Sequence, residues 1–463
     1  MIRIVFAAGT LTIAGAALEE LPTEAAECCR SDPRTGELRA RACDYAKIAL
    51  ALRAAGIPYT DGARRFGSLD SLRLVTPLTP RPHQARALAA WKAAGFRGVV
   101  SLPTGSGKTI LAVMAMEYLK RPTLVLAPTI DLISQWAETL ERFFGVEVGL
   151  LGGGSHEIRD LTVSTYDSAV LNMEFIGDRF AFLVADECHH LPAAESRLAA
   201  AMAIAPYRLG LSATPELPDD RAAVMRDLLG ETVIEVTIDE LEGKTLSPYE
   251  VRSCRIPLDP AEEELYRRHR AVYTGFLKRH RISFADPSGW GRFLGLAARL
   301  PEGREVFHSF LEQRRLARGG EAKLRKLWEL VLEHAGERIL VFTADNATAY
   351  EIGRRFLWPV LTHHTGAAER KEFLAGFRQG SYPVLVTSKV LNEGVDVPSA
   401  AVGIVLSGSG SVREHVQRLG RILRPAPGKA QAVLYEIISS GTSEEGVSTR
   451  RRGHRAYRRK SVC

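Results

Sequence analysis

Between residues 97 and 212 the chain repeats one pattern. A short apolar run is followed by a longer stretch in which apolar positions recur every three or four residues. The runs GVVSL, TLVLAP, LTVST, AFLVADE and YRLGLSATP predict successive strands, and the stretches between them predict helices. Strands apolar on both faces and alternating with helices imply a mostly parallel sheet with helices on both sides. After Pro257 the pattern becomes long, charged and helical. A second alternating series then begins with RILVFT and continues through WPVLTHH, PVLVTS, AVGIVLS and AVLYEI. The fold class expected is therefore α/β, with two separate parallel-sheet lobes and a helical insertion near the start of the second.

The first 75 residues read as a small leading unit. Strands are expected within Arg3 to Ala14, turns in SDPRTGELRA at 31–40 and a helix near Tyr45 to Ala55. Pro77, Pro80 and Pro82 mark the boundary, because proline ends regular elements. The expected organisation is a small unit at 1–75, a first lobe at 76–250, the start of the second lobe with its insertion at 251–330, the rest of that lobe at 331–440 and a flexible basic tail at 441–463. No apolar run reaches the roughly 20 residues needed to span a bilayer, so no membrane partner is expected.

Charge sharpens this map. The net charge is +7, and Arg450 to Cys463 alone carries seven Arg and Lys with no acid. The stretch from Tyr266 to Lys326 holds 15 Arg and Lys against 5 acids. Basic segments of this kind suit either a solvated helix face or contacts to phosphate. The six cysteines show no Cys-x-x-Cys pair and no zinc-like grouping, which suits a reducing compartment.

The most specific chemistry is LPTGSGKT at Leu102–Thr109, placed between an apolar run and a helix. Thr104, Gly105, Ser106 and Gly107 allow the backbone to curl so that its N–H groups face phosphates. Lys108 supplies a cation and Thr109 a hydroxyl for Mg²⁺. Leu102 stands where the usual spacing has glycine. AFLVADECHH brings Asp186 and Glu187 to the end of another strand, Asp186 to hold Mg²⁺ and Glu187 to activate water. His189 is expected to couple at the nucleotide's edge and His190 to be structural or a relay. LSATP, with Ser212 and Thr214, ends a further strand. In HVQRLGRILRP, Gln417, Gly420, Arg421 and Arg424 fall on one helix face, so that the arginines of one lobe can complete a phosphate site held by the other. Glu393, Gly394 and Asp396 lie in a loop suited to bridging nucleotide and nucleic acid. The cofactors expected are ATP and Mg²⁺. An exported ATP-driven motor would lack fuel, so MIRIVFAAGTLTIAGAAL, which has some features of an export signal, is read as a strand pair and a cytoplasmic, nucleoid-associated location is expected.

These motifs resemble those of superfamily 2 helicases, within them the XPB (xeroderma pigmentosum group B) family, especially its short archaeal and bacterial forms. The resemblance rests on LPTGSGKT, LAPTIDLISQW, VSTYDSA, DECHH, LSATP, TSKVLNEGVDVP and QRLGRILR. It is sharpened by LRAAGIPYTD, TPRPHQARALAAW and THHTGAAERKEFLAGFRQG. It implies RecA-like lobes, 3′ to 5′ movement on DNA and a role in repair. It also implies that Gln84 reads the adenine edge, that Thr129, Gln135, Thr165, Tyr166 and Thr387 contact nucleic acid, that the first 75 residues match a damage-recognition domain and that the insertion matches a thumb-like domain. The DNA expected is single-stranded or forked, with duplex as an alternative, and a nuclease partner is a further expectation. One departure stands out. An Arg-Glu-Asp element tied to duplex opening corresponds here to Leu217, Pro218 and Asp219. Only the last acid of that element is kept, which favours a duplex translocase that does not separate strands; an RNA helicase and an ATP-switched scaffold for a nuclease are separate alternatives to a strand-separating helicase.

Overall fold

The computed structural model describes residues 1–213, 217–388, 400–407, 420, 422, 431–452 and 460–462. Its contacts divide the chain into two units, Met1–Glu240 and Leu241–Cys463.

In the first unit, β1 (Ile2–Ala7) and β2 (Thr10–Ala14) form an antiparallel hairpin. Ala8 and Gly9 both take positive φ, 45° and 79°, the turn geometry that matches strand twist. The expected strand pair is thus the first feature of the molecule. With β3 (Cys29–Ser31), β4 (Leu38–Arg41) and β5 (Tyr59–Gly62) it makes a sheet in the order β3-β4-β2-β1-β5. The turns expected at 31–40 fall at residues 33–37, where they join β3 to β4 as an antiparallel pair. Asp32 starts the turn, accepting from Arg34 N on its Oδ1, and Leu38 and Ala40 after it alternate inward into the core of this sheet. The helix Tyr45–Ala54 buries Ile48, Ala49 and Leu52 in the same core. Arg41 pairs with Asp227 at 2.5 Å and Arg65 with Asp178 at 2.6 Å, while Ile204 joins the leading unit's core and Cys43 the core of the neighbouring sheet. The leading sheet and the first lobe consequently pack as one body.

The first lobe is built on β6 (Arg97–Ser101), β7 (Thr123–Ala127), β8 (Gly149–Gly152), β9 (Ser155–His156), β10 (Leu161–Thr165), β11 (Phe182–Ala185), β12 (Tyr207–Ser212) and β13 (Thr232–Glu235). Their order is β13-β6-β12-β11-β7-β10-β8-β9, and only the short β8–β9 pair at the edge is antiparallel. The five strands expected from the apolar runs are β6, β7, β10, β11 and β12, adjacent in the middle of the sheet. Every residue of β7 and β11 is buried.

The second unit carries β14 (Tyr249–Ile256), β15 (Ile339–Phe342), β16 (Val360–Leu361), β17 (Val384–Thr387), β18 (Val402–Val405), β19 (Ala432–Ser439) and β20 (Lys460–Val462), in the order β16-β17-β15-β18-β19-β14-β20. All described pairings in it are parallel. Three helices, Pro260–Arg279, Gly289–Arg299 and Gly303–Gly319, form the insertion around Tyr273, Phe276, Phe293 and Phe310. The first of them opens with proline after Asp259, has Glu262 and Glu263 in its first turn and ends with Lys278 and Arg279, an arrangement that suits the helix dipole.

The tail corrects an expectation. Ser443–Arg452 is a helix and Lys460–Val462 extends the sheet along β14, so a wholly flexible arm is not what the chain forms. Glu444, in the helix's first turn, makes a close ion pair with Lys323, a side chain 1% exposed whose Nζ also donates to the Leu406 carbonyl at 2.6 Å. A buried ammonium needs such a partner, and that need docks the segment. Among the described residues no helix is long and apolar enough to cross a membrane.

Candidate active site

The phosphate-loop segment leaves the C-terminal end of β6, where ligands meet a parallel sheet. Leu102 is fully buried and its N–H donates to the Ser212 carbonyl at 2.9 Å. Its φ is not positive, so this position needs no glycine and the departure at 102 is accommodated as core packing. Gly105 and Gly107 do take positive φ, 81° and 92°, and Gly107 begins the helix Lys108–Leu119. The φ of Gly107 favours glycine, and a Cβ there would lie 2.3 Å from Gln84 Nε2 and displace that amide from the loop.

Gln84 and His83 form a shelf under this loop. Gln84 Nε2 donates to the carbonyls of Ser106 at 3.2 Å and Gly107 at 3.1 Å, while its Oε1 accepts from Arg81 N. His83 Nε2 donates to the Ser106 carbonyl at 2.8 Å. The Ser106 hydroxyl is turned inward onto Pro103 O. Thr104 Oγ1 is buried without a hydrogen-bond partner among the described residues, a free polar atom in a loop whose shape suits phosphate. His83 escaped the sequence reading because a lone histidine before Gln84 carries no motif.

Two strands away in the same sheet, β11 delivers Asp186 and Glu187. Lys108 Nζ lies 3.2 Å from Glu187 Oε1, which joins the two motifs at one point. Asp186 Oδ2 accepts from Trp136 Nε1 at 2.8 Å and its Oδ1 from Glu187 N at 2.9 Å. Burial, helped by the neighbouring Glu187 charge, pushes the Asp186 carboxyl up to about 6. Glu187 holds φ 44°, the left-handed region, at a cost of about 1–2 kcal/mol that sites of chemistry commonly bear. His189 Nδ1 is 3.5 Å from Glu187 Oε2, and the His189 and His190 rings lie 4.4 Å apart. Trp136 is the second residue that sequence reasoning did not place at the site. It lies in the expected nucleic-acid motif, but its indole anchors a carboxylate.

The residues expected to touch nucleic acid divide. Thr129 and Thr165 each cap a helix, accepting from Leu132 N and Ser168 N, and both remain part-exposed, as does Gln135. Tyr166 is corrected. Its ring is 3% exposed and its hydroxyl donates to the Asp186 carbonyl at 2.9 Å, so it braces the carboxylate loop from inside. Thr387 is corrected as well. It is fully buried at the end of β17, a strand covered on both faces, with its hydroxyl on the Ser388 carbonyl. Ser212 ends β12 and is buried. Thr109 sits in the first turn of the helix that follows the loop. Thr214, Glu393, Gly394, Asp396, Gln417, Arg421 and Arg424 lie outside the described residues.

Among the described residues no three His, Cys, Asp or Glu side chains gather as a metal cluster. The end of β11 offers the carboxylates of Asp186 and Glu187, and the first turn after the loop offers the hydroxyl of Thr109. So sparse a set fits Mg²⁺, which usually keeps several waters and binds through one or two carboxylates together with substrate phosphates.

Three family models cover successive parts of the chain: the xeroderma pigmentosum group B helicase damage recognition domain at residues 4–63, the type III restriction enzyme res subunit at 77–217 and the helicase conserved C-terminal domain at 322–426. The chain is 39% identical over 372 residues to the DNA 3'-5' translocase XPB2 of Sulfurisphaera tokodaii, covering 80% of this chain and 84% of that protein. It is 29% identical over 385 residues to the DNA 3'-5' helicase XPB of Kineococcus radiotolerans and 29% over 359 residues to that of Mycobacterium tuberculosis. It spans 62% and 58% of those longer proteins. The crystal structure of the Pyrococcus furiosus Hef helicase domain matches its fold with a TM-score of 0.53 at 20% identity, covering 80% of this chain and 97% of that one. The sheets are therefore tandem RecA-like lobes, and the chain belongs to the XPB family of superfamily 2 ATP-dependent DNA helicases.

Proposed function

We propose that this protein couples ATP hydrolysis to 3′ to 5′ movement on DNA in the service of repair. The observation that carries the reading is the meeting of Lys108 with Glu187 at 3.2 Å, beside an Asp186 held by Trp136, in a lobe packed against a sheet that matches a damage-recognition model.

The chemistry follows from these side chains. The N–H groups of the 104–109 loop and Lys108 hold the triphosphate, while Thr109 and Asp186 hold Mg²⁺, which when bound neutralises phosphate charge. Lys108 and Glu187 neutralise each other at 3.2 Å. A triphosphate competes for Lys108 and leaves the Glu187 carboxylate to orient and deprotonate the attacking water. Trp136 and Tyr166 grip Asp186 through side chain and carbonyl, so the carboxylate loop is positioned before substrate arrives. Gln417, Arg421 and Arg424 are the residues proposed to complete the phosphate site from the other lobe. The part-exposed Thr129, Gln135 and Thr165 are proposed to meet the DNA backbone, contacts that carry no sequence preference and suit a motor.

A specific observation favours a second reading, translocation on duplex DNA without strand separation. At the position of the Arg-Glu-Asp element, Leu217 packs on the lobe's core and Pro218 precedes the helix Asp219–Leu229, so neither offers a charge to a duplex fork. The Sulfurisphaera relative is itself named a translocase. Forked DNA and a triplex-bearing duplex separate the two readings. ATP-driven release of a strand from the fork supports the helicase, whereas displacement of the third strand with an intact fork supports the translocase. A nuclease partner is proposed only as a binding partner of such a motor. Slow ATP turnover unaffected by any nucleic acid, together with nuclease capture, would instead mark an ATP-switched scaffold.

A further inference from the structure

A cleft of about 630 Å³ opens on the helical insertion, outside the nucleotide machinery. One wall is aromatic. Tyr273 and Phe284 stack with centroids 6.1 Å apart, and Trp290 lies 5.7 Å from Phe284 and 5.4 Å from Phe310. Trp290 and Phe284 are 43% and 42% exposed, a large apolar area to leave in water.

The cleft is also lined by arginines. Arg270 donates to the hydroxyl of Tyr266 at 3.0 Å, and the Arg314 guanidinium sits 5.0 Å from the centre of the Phe310 ring. Among the described ion pairs neither has a carboxylate partner, while burial holds Arg314 below the usual guanidinium range. Arg318 is neutralised by Asp345 at 2.9 Å and Glu444 by Lys323, so the uncompensated charge of the cleft is positive.

Gln313 points to a ligand independently. It is 4% exposed, and its Nε2 donates to the Phe310 carbonyl at 3.3 Å, which fixes the orientation of the amide. Its Oε1 has no hydrogen-bond partner among the described residues, although Gln313 lines the cleft. A buried acceptor left without a donor is costly unless a ligand supplies one.

We propose that this cleft takes one unstacked nucleotide of a DNA strand, with the base against Trp290 and Phe284, an N–H of its edge on Gln313 Oε1 and the adjacent phosphate at Arg270 and Arg314. Every base has a π-face and at least one N–H donor, so the site tolerates any sequence. It gives the insertion a hold on the strand separate from the sheet lobes. The inference rests on the reading of the protein as a DNA motor and names one place where the strand is gripped.

The test uses the full chain and two labelled single-stranded oligonucleotides of equal length, one with bases and one with abasic sugars, in anisotropy titrations. The protein is expected to bind the base-bearing strand about tenfold more tightly. Trp290→Ala and Gln313→Leu should each erode that preference, leaving melting temperature, ATP binding and affinity for the abasic strand unchanged. Arg314→Ala should lower the salt slope of binding to both strands by about one. Variants that keep the full preference while DNA still stimulates the ATPase would overturn the cleft and leave the motor standing. Competition by deoxynucleoside monophosphates as strong as by the oligonucleotide would overturn it in favour of a free-nucleotide site. Competition by an acidic aromatic peptide with no effect of base removal would overturn it in favour of a protein ligand. Failure of any DNA to bind or to stimulate turnover would remove the motor reading and the cleft together.

Discussion

At the scale of single residues, the phosphate site is built from pairs whose members lie far apart in sequence. Lys108 meets Glu187, Trp136 holds Asp186 and Gln84 lies under Gly107. Glu187→Gln removes the base but keeps the shape, and is expected to lower kcat at least a hundredfold with ATP affinity nearly unchanged, measured by steady-state turnover and equilibrium binding. Near-normal turnover would assign the base elsewhere. Asp186 gives a pH dependence. With its carboxyl pushed up to about 6, the proton must leave before Mg²⁺ binds, so Mg²⁺ affinity should be flat above that pH and fall as pH drops through it. The same shift favours the folded state at low pH, a contribution lost as pH rises through about 6. Mg²⁺ titrations followed by calorimetry between pH 5 and pH 8 measure the slope, and a flat profile would contradict the assignment. That Lys108 meets Glu187 beside Asp186 was legible because each motif is contiguous in sequence. Trp136, His83 and Tyr166 act across the sheet, and Tyr166 shows how a residue inside a surface motif can turn inward instead.

At the scale of elements, the apolar runs predicted the central strands well because those strands are buried on both faces. β4, β8, β9, β13 and β14 lie toward sheet edges or carry charges such as Glu250 and Arg252, which dilute the pattern. The tail misled for a related reason. Its Gly, Ser and Arg content reads as a free arm, yet Ser443–Arg452 is docked by Glu444 on Lys323, a partner 121 residues away. Glu444→Gln removes the carboxylate paired with that buried ammonium and should destabilise the second unit by about 3 kcal/mol in urea unfolding. A variant as stable as the parent would show that the helix is not held by this pair. Nothing local in the sequence marks Lys323 as buried, since it lies within a strongly basic stretch.

At the scale of the whole molecule, the resemblance in the motifs and the matches of three family models agree on an XPB-type helicase, and both lobes show the RecA-like sheet that such a motor needs. The leading sheet is bound to the first lobe by Arg41 with Asp227 and Arg65 with Asp178, so contact with DNA at that sheet would bear directly on the lobe that carries the phosphate loop. The reading of translocation without strand separation rests on a small departure, Leu217 and Pro218 in place of charged residues, which does not touch the ATP site. The central claim is that nucleic acid drives ATP turnover at Lys108 and Glu187. The most direct measurement is the steady-state ATPase rate of the protein and of Lys108→Ala, without nucleic acid and with saturating single-stranded DNA, duplex DNA or RNA. A rate raised at least tenfold by DNA, less by RNA, and abolished in Lys108→Ala is the predicted result. A rate indifferent to DNA, or one that survives in Lys108→Ala, would contradict the account.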